Sequence, residues 1–204
     1  LYTTPWRADR WALLQDSQMR WYIAFLGFFS GLLGLWQWMV NGVNLHDAFR
    51  TATFSVVSIV TTTGFITSDY SIWGGFPQVA FFFLTFIGGC TGSAAGAIKI
   101  FRWEVLFAMA GVHLKRLVMP HGVFVIDFNR QRISDAVVRS VLGFLVMYFL
   151  TFAVLSLALT AVGLDLVTSI TGAATALGNV GPGLGHIICP FTVLVLFLPS
   201  FWKD

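Results

Sequence analysis

Residues 46–65 read HDAFRTATFSVVSIVTTTGF, and the way this stretch ends decides the fold. From His46 to Val60 it is apolar on average, carries Asp47 and Arg50, and is about half a membrane long at roughly 1.5 Å per residue. Then come three β-branched residues and a glycine, Thr61-Thr62-Thr63-Gly64, followed by Phe65. Such residues sustain a helix poorly, so the helix stops and the backbone is expected to run extended. Extended backbone at membrane depth is tolerated only where it is packed in protein or lines a wet cavity. A re-entrant half-helix with that ending implies a pore.

The neighbouring segments supply the membrane. Trp21 to Val40 carries no charge, is long enough to cross, and clusters Trp21, Tyr22, Trp36 and Trp38 at its two ends like an aromatic belt. It emerges at a turn, Asn41-Gly42-Val43-Asn44. Phe76 to Ile98 is a second apolar block, interrupted by Gly88-Gly89-Cys90-Thr91-Gly92-Ser93-Ala94-Ala95-Gly96. So many small residues predict a broken helix or an intramembrane loop; the alternative is a close-packing helix face. Trp103 to Met119 is amphipathic and basic, with Pro120 as its stop, and Gly122 to Asn129 alternates weakly, as a short strand or turn would. Ser134 is placed to cap a helix with Asp135 in its first turn, and Ser140 to Val162 is a third uncharged span.

The order then repeats. Asp165 to Leu177 is again about half a span, and it ends in Gly178-Asn179-Val180-Gly181-Pro182-Gly183-Leu184-Gly185. After it, Phe191 to Trp202 is apolar but too short to cross. The repeat rests on hydropathy and punctuation, since the two copies differ in sequence.

Composition agrees with lipid as the solvent. Of 204 residues 57% are hydrophobic and 10% charged, with 21 Phe and 8 Trp, whereas a soluble domain has about a quarter of its residues charged. If the segment from Lys99 to Arg139 is cytoplasmic, all 12 Lys and Arg except Arg50 fall on that one side, which fixes orientation by the positive-inside rule. The same basic segment suits a lipid surface or a docked partner. No basic stripe interleaved with aromatics suggests nucleic acid. Cys90 and Cys189 sit in apolar surroundings as buried small residues. His46, His113, His121 and His186 share no metal-ligand spacing. Asp47 and Asp69, near the outer mouth, are read as solvating a loop, with attraction of cations as the alternative, and Arg50 reads as a snorkelling or paired charge. The chain opens on Leu1, as a piece of something longer would.

A potassium ion must shed its water to enter a selective filter, and stacked backbone carbonyls replace that shell. Thr62, Thr63, Gly64 and Phe65 offer one such run, and Asn179, Val180, Gly181 and Pro182 the corresponding one. The metal contacts are expected at Thr62, Thr63, Asn179 and Val180, mainly through carbonyl oxygens. Neither run contains an acidic residue, so attraction must come from the half-helix dipoles. A membrane-embedded enzyme would need a catalytic dyad at matching depth, and none is evident.

Three motifs together resemble the Trk/Ktr potassium-uptake family, in particular its TrkH-type pore subunits: Thr61–Phe65, Gly88–Lys99 and Leu177–Gly185. The resemblance runs over nearly the whole chain. It implies an all-α membrane protein with two span–pore helix–filter–span repeats, the third and fourth of a four-repeat potassium-channel-like fold, and a truncated last span. Residues 1–119 then form one repeat, 120–133 a cytoplasmic connector and 134–204 the other. It also implies that Gly88, Gly89, Gly92, Ser93 and Gly96 form a gate loop beneath the filter. Such subunits work as homodimers in a bacterial inner membrane, as channel or symporter, under a cytosolic ring that binds nucleotides. The alternative is a piece of such a subunit that inserts without conducting.

Overall fold

Asp16 opens the first helix, its carboxylate accepting a bond from the Gln18 amide at 3.1 Å. Helix α1 runs Ser17–Asn41, and Gly42 closes it in the left-handed conformation. The computed structural model describes residues 16–119, 127–128, 131–181 and 183. After α1 come α2 (Leu45–Val60), a 3-10 turn at Tyr70–Trp73, α3 (Gly75–Leu84), α4 (Ile100–Val118), the two-residue strands β1 (Asp127–Phe128) and β2 (Gln131–Arg132), α5 (Asp135–Ala161) and α6 (Leu166–Gly178). Among the described residues the protein is helical apart from the antiparallel β1–β2 pair and a single bridge between Ile87 and Ile98; β1 lies within the stretch expected to form a short strand or turn, and β2 just beyond it.

Among the described residues two helices are long and apolar enough to cross a bilayer. At about 1.5 Å per residue, α1 and α5 reach roughly 37 and 40 Å, beyond the ~30 Å hydrocarbon core. Their most apolar stretches are only 22% and 17% buried, where the core helix of a soluble protein would be mostly buried. Phe28, Met147 and Leu157 point outward at 63%, 62% and 72% exposure. Faces of this kind need lipid around them.

The short helices are the buried ones. Ala48, Ala52, Val56 and Val60 recur every fourth residue on α2 and are all 0% exposed. Ala52, Val56 and Val60 share a core with Leu33 of α1, Tyr70, Trp73, Phe81, Leu84 and Val180. A second core joins Phe86, Ile98, Val105 and Ala174 to Val138, Val141, Leu145 and Tyr148 of α5. Phe82 packs against both.

Glycine sets the approach of α1 to α2. A Cβ on Gly34 would lie 2.9 to 3.1 Å from three ring atoms of Phe49, while Gly27 and Gly31 on the same helix face open space. Gly34→Ala is therefore expected to destabilise the protein by about 1–3 kcal/mol, through overpacking. Gly27→Ala should be neutral or slightly stabilising. Thermal unfolding in detergent compares the two, and equal midpoints would show that Phe49 yields freely.

Where the sequence allowed a broken helix or a packing face, the structure has the break: α3 ends at Leu84 and α4 starts at Ile100, three residues before Trp103. Ser134 holds the N-cap backbone position of α5 but makes no side-chain cap bond. It is exposed, where water can serve the first amides. The boundary Pro120, most of the connector and the stretch Phe191 to Trp202 lie outside the described residues.

Candidate functional site

Helices α2 and α6 end in the same type of cap. At the end of α2, the Thr63 amide donates to the Ser58 carbonyl at 2.9 Å and the Thr62 amide to the Ile59 carbonyl at 3.0 Å. At the end of α6, the Val180 amide donates to the Thr175 carbonyl at 2.9 Å and the Asn179 amide to the Ala176 carbonyl at 3.2 Å. Each pair is the six-to-one and five-to-two bonding of a Schellman cap, which needs a left-handed residue just past the helix. That residue is Thr62 with φ 56° in one case and Asn179 with φ 53° in the other. Two positions further on, Gly64 and Gly181 also have positive φ, 76° and 100°.

This corrects the expectation of plain extended backbone at 62–65. The sign of φ alternates from Thr61 to Gly64, because capping the helix forces Thr62 into the left-handed region. A β-branched residue there is a genuine outlier, at a cost of about 1–2 kcal/mol. Asn tolerates the same geometry better, and strain of this kind gathers at functional sites.

Among the described residues no donor reaches the carbonyl oxygens of Thr62, Thr63 and Gly64, or of Asn179, Val180 and Gly181. The Phe65 carbonyl differs, accepting from Ser58 Oγ at 2.7 Å. Thr61 and Thr63 share a hydroxyl–hydroxyl bond of 2.6 Å. Both helices point their C-termini at these loops with no basic residue in the last turn. Each end therefore presents roughly half a negative charge, and nothing on its own helix neutralises it.

Packing holds the two loops to one core. Val180 is buried with Ile59 and Val60 of α2. The buried Tyr70 hydroxyl, reached from the segment after Phe65, donates to the Gly183 carbonyl at 3.4 Å. A Cβ on Gly178 would lie 3.0 Å from the Thr85 carbonyl. Asp165 orients α6 from its other end, accepting from the Thr168 amide at 3.1 Å.

Residues 85–99 form a loop pinned at its base and tethered on either side of Gly92 at its tip. Ile87 and Ile98 make a parallel bridge, in which the Gly88 amide donates to the Ile98 carbonyl at 2.9 Å and the Ile98 amide to the Phe86 carbonyl at 3.1 Å. Gly88 and Gly89 are buried against Ala97 and Ser93. Gly92, with φ 93°, has nothing around it. Lys99 Nζ donates to the Ser93 carbonyl at 3.1 Å, and the Thr91 amide to Gln18 Oε1 at 2.9 Å. Gly96 is exposed, yet a Cβ there would lie 2.7 Å from the Gly178 carbonyl oxygen and 2.9 Å from Asn179 Cβ. The loop thus rests directly on the end of α6.

Other sequence candidates fall away from these loops. Arg50 pairs with Asp47 at 3.2 Å on the surface of α2, and His46 lies 3.7 Å from the same carboxylate. Asp69 caps the 3-10 turn through the Ser71 amide at 2.8 Å. Among the described residues no three His, Cys, Asp or Glu side chains come together. Pro182, His121, His186 and Cys189 lie outside the described residues. Sequence reasoning passed over Ser58, Tyr70 and Gln18, which have no local signature because each acts on backbone remote from its own helix turn.

Known proteins share this arrangement of elements. The family model TrkH, described as a cation transport protein, matches residues 17–195. The Trk system potassium uptake protein TrkI of Halomonas elongata is 40% identical, over 100% of this chain and 46% of that protein. The Trk system potassium uptake protein TrkH of Vibrio parahaemolyticus is 36% identical, over 78% of this chain and 38% of that one. The crystal structure of the potassium transporter TrkH from Vibrio parahaemolyticus superposes with a TM-score of 0.79 at 32% identity, covering 93% of this chain and 46% of that chain. The chain spans about half the length of the curated relatives it matches.

Proposed function

The chain belongs to the TrkH family of cation transport proteins, membrane transporters and not enzymes, and from that premise we propose that it forms part of a potassium-uptake pore. Residues 62–65 and 179–182 are the filter strands in this reading, and α2 and α6 the re-entrant pore helices of two span–pore helix–filter–span repeats. The observation that carries it is the pair of identically capped short helices, each followed by carbonyls with no protein donor among the described residues. Ordinary strand geometry turns successive residues to opposite faces. Left-handed residues at every second position break that alternation, as a wall of inward oxygens requires.

Potassium is the cargo. The carbonyls of Thr62, Thr63 and Gly64, and of Asn179, Val180 and Gly181, replace its hydration shell, and the two helix ends offset its charge without an acidic side chain. The engaged Phe65 carbonyl makes a weaker ligand unless the Ser58 hydroxyl lets go. Loop 85–99 acts as the gate beneath the filter, pinned at Ile87–Ile98 and tethered on either side of Gly92. The inner membrane of a bacterium, a homodimer, and a cytosolic nucleotide-binding ring facing the basic segment Lys99 to Arg139 complete the proposal.

Tracer rubidium uptake into proteoliposomes tests it. Uptake that potassium competes away and sodium does not is the expected result. Folded, inserted protein that carries no rubidium would instead select a second reading, a non-conducting piece, which draws on the chain's half-length match to its relatives.

A further inference from the structure

At the foot of α1 a cavity of about 490 Å³ opens between α1 and α4. Trp21, Phe25 and Phe107 are among its apolar walls, and Ser17, Trp103 and Glu104 are its polar edge. Glu104 Oε1 accepts from Ser17 Oγ at 2.8 Å. Its Oε2 and the Trp103 indole nitrogen are both buried, and neither has a hydrogen-bond partner among the described residues. A carboxylate oxygen needs a donor, and an indole N–H needs an acceptor. One carboxylate and one N–H, from consecutive residues that both line an apolar cavity, ask for a ligand that brings a cationic donor, an acceptor oxygen and a hydrocarbon chain together.

Position narrows the ligand further. The cavity lies where the α1 span begins, beside Trp21, and aromatic residues at the end of a span favour the lipid headgroup region. We propose that it holds an ethanolamine phospholipid, with the ammonium on Glu104, a phosphate or ester oxygen on the Trp103 N–H, and the start of an acyl chain against Trp21, Phe25 and Phe107. Anionic lipids meet the Glu104 charge with the wrong sign. Choline lipids carry a cation with no N–H to give to Oε2. Burial pushes the Glu104 carboxyl above its ordinary range; the Ser17 bond works against this and the nearby Asp16 charge adds to it, as befits a carboxylate still short of a cation. The inference rests on this cavity and does not depend on the filter.

Purified protein stripped of lipid and moved into mixed micelles containing phosphatidylethanolamine, phosphatidylglycerol or phosphatidylcholine tests it, with retained lipid counted by native mass spectrometry. Phosphatidylethanolamine should be retained about tenfold better than either competitor, the worth of one charge-assisted hydrogen bond. Glu104→Gln should bring the three lipids near parity, and Trp103→Phe should weaken retention while keeping the preference for the amine. Successive N-methylation of the lipid headgroup gives the same readout on unaltered protein, with retention falling as N–H donors are lost. Equal retention of all three lipids by the unaltered protein would overturn the proposal, since that is the result if Arg7 or Arg10 supplies the missing cation. Preference for phosphatidylglycerol, or retention that ignores methylation, would overturn it as well.

Discussion

Rubidium uptake is expected to fall by on the order of 100-fold or more when Gly64 is replaced by Asp, two tenfold steps at about 1.4 kcal/mol each. Two penalties combine. Gly64 sits at φ 76°, where any side chain with a Cβ costs about 1–2 kcal/mol, so the strand either strains or flips its carbonyls. The new carboxylate then places a fixed charge beside the free oxygens of Thr62 and Thr63, where it holds a cation instead of passing it. Gly64→Ala separates the two effects, because it carries the backbone penalty alone; it should retain partial uptake with weakened potassium-over-sodium preference. Gly181, at φ 100° in the second loop, should repeat both results. A Gly64→Asp variant that folds, by circular dichroism, and takes up rubidium at the unaltered rate would remove 62–65 from the ion path.

The short helices were legible because their signals are local. A half-span apolar run followed by Thr-Thr-Thr-Gly, or by Gly-Asn-Val-Gly, says where a helix stops whatever packs around it, and α2 and α6 begin and end within a residue of that reading. The uncharged spans were legible for the same reason, although α1 begins four residues earlier than Trp21, since Asp16 rather than the first aromatic sets its start. The conformation past each helix was not legible. β-branched residues favour extended backbone, but the Ser58 and Thr175 carbonyls need donors from five residues on, and meeting that need turns Thr62 and Asn179 left-handed. Contacts between remote segments were also invisible: Gly96 on Gly178, Tyr70 on Gly183, Gln18 on Thr91. Each depends on how helices are placed in space, which spacing along a single chain does not encode.

The contact between Gly96 and α6 separates two glycines that look interchangeable in the sequence. Gly92→Ala adds a methyl group in open space and bears only the left-handed penalty of φ 93°, so it should stiffen or shift the loop tip and change the rubidium rate while leaving cation preference alone. Gly96→Ala has a different problem. Its methyl group would lie 2.7 Å from the Gly178 carbonyl oxygen and 2.9 Å from Asn179 Cβ, and a backbone oxygen cannot swing aside as a flexible side chain can. Either the loop retreats or the end of α6 moves, at about 1–3 kcal/mol of overpacking. Movement of Asn179 shifts the first free carbonyl of the second strand, so Gly96→Ala should lower the unfolding midpoint in detergent and also alter the potassium-to-sodium ratio. If loop 85–99 is the proposed gate, the pair of variants distinguishes one that merely obstructs from one that bears on the proposed filter strand. If both change rate alone and leave preference intact, the loop and the strand work independently, and the close approach at Gly96 is only a packing constraint.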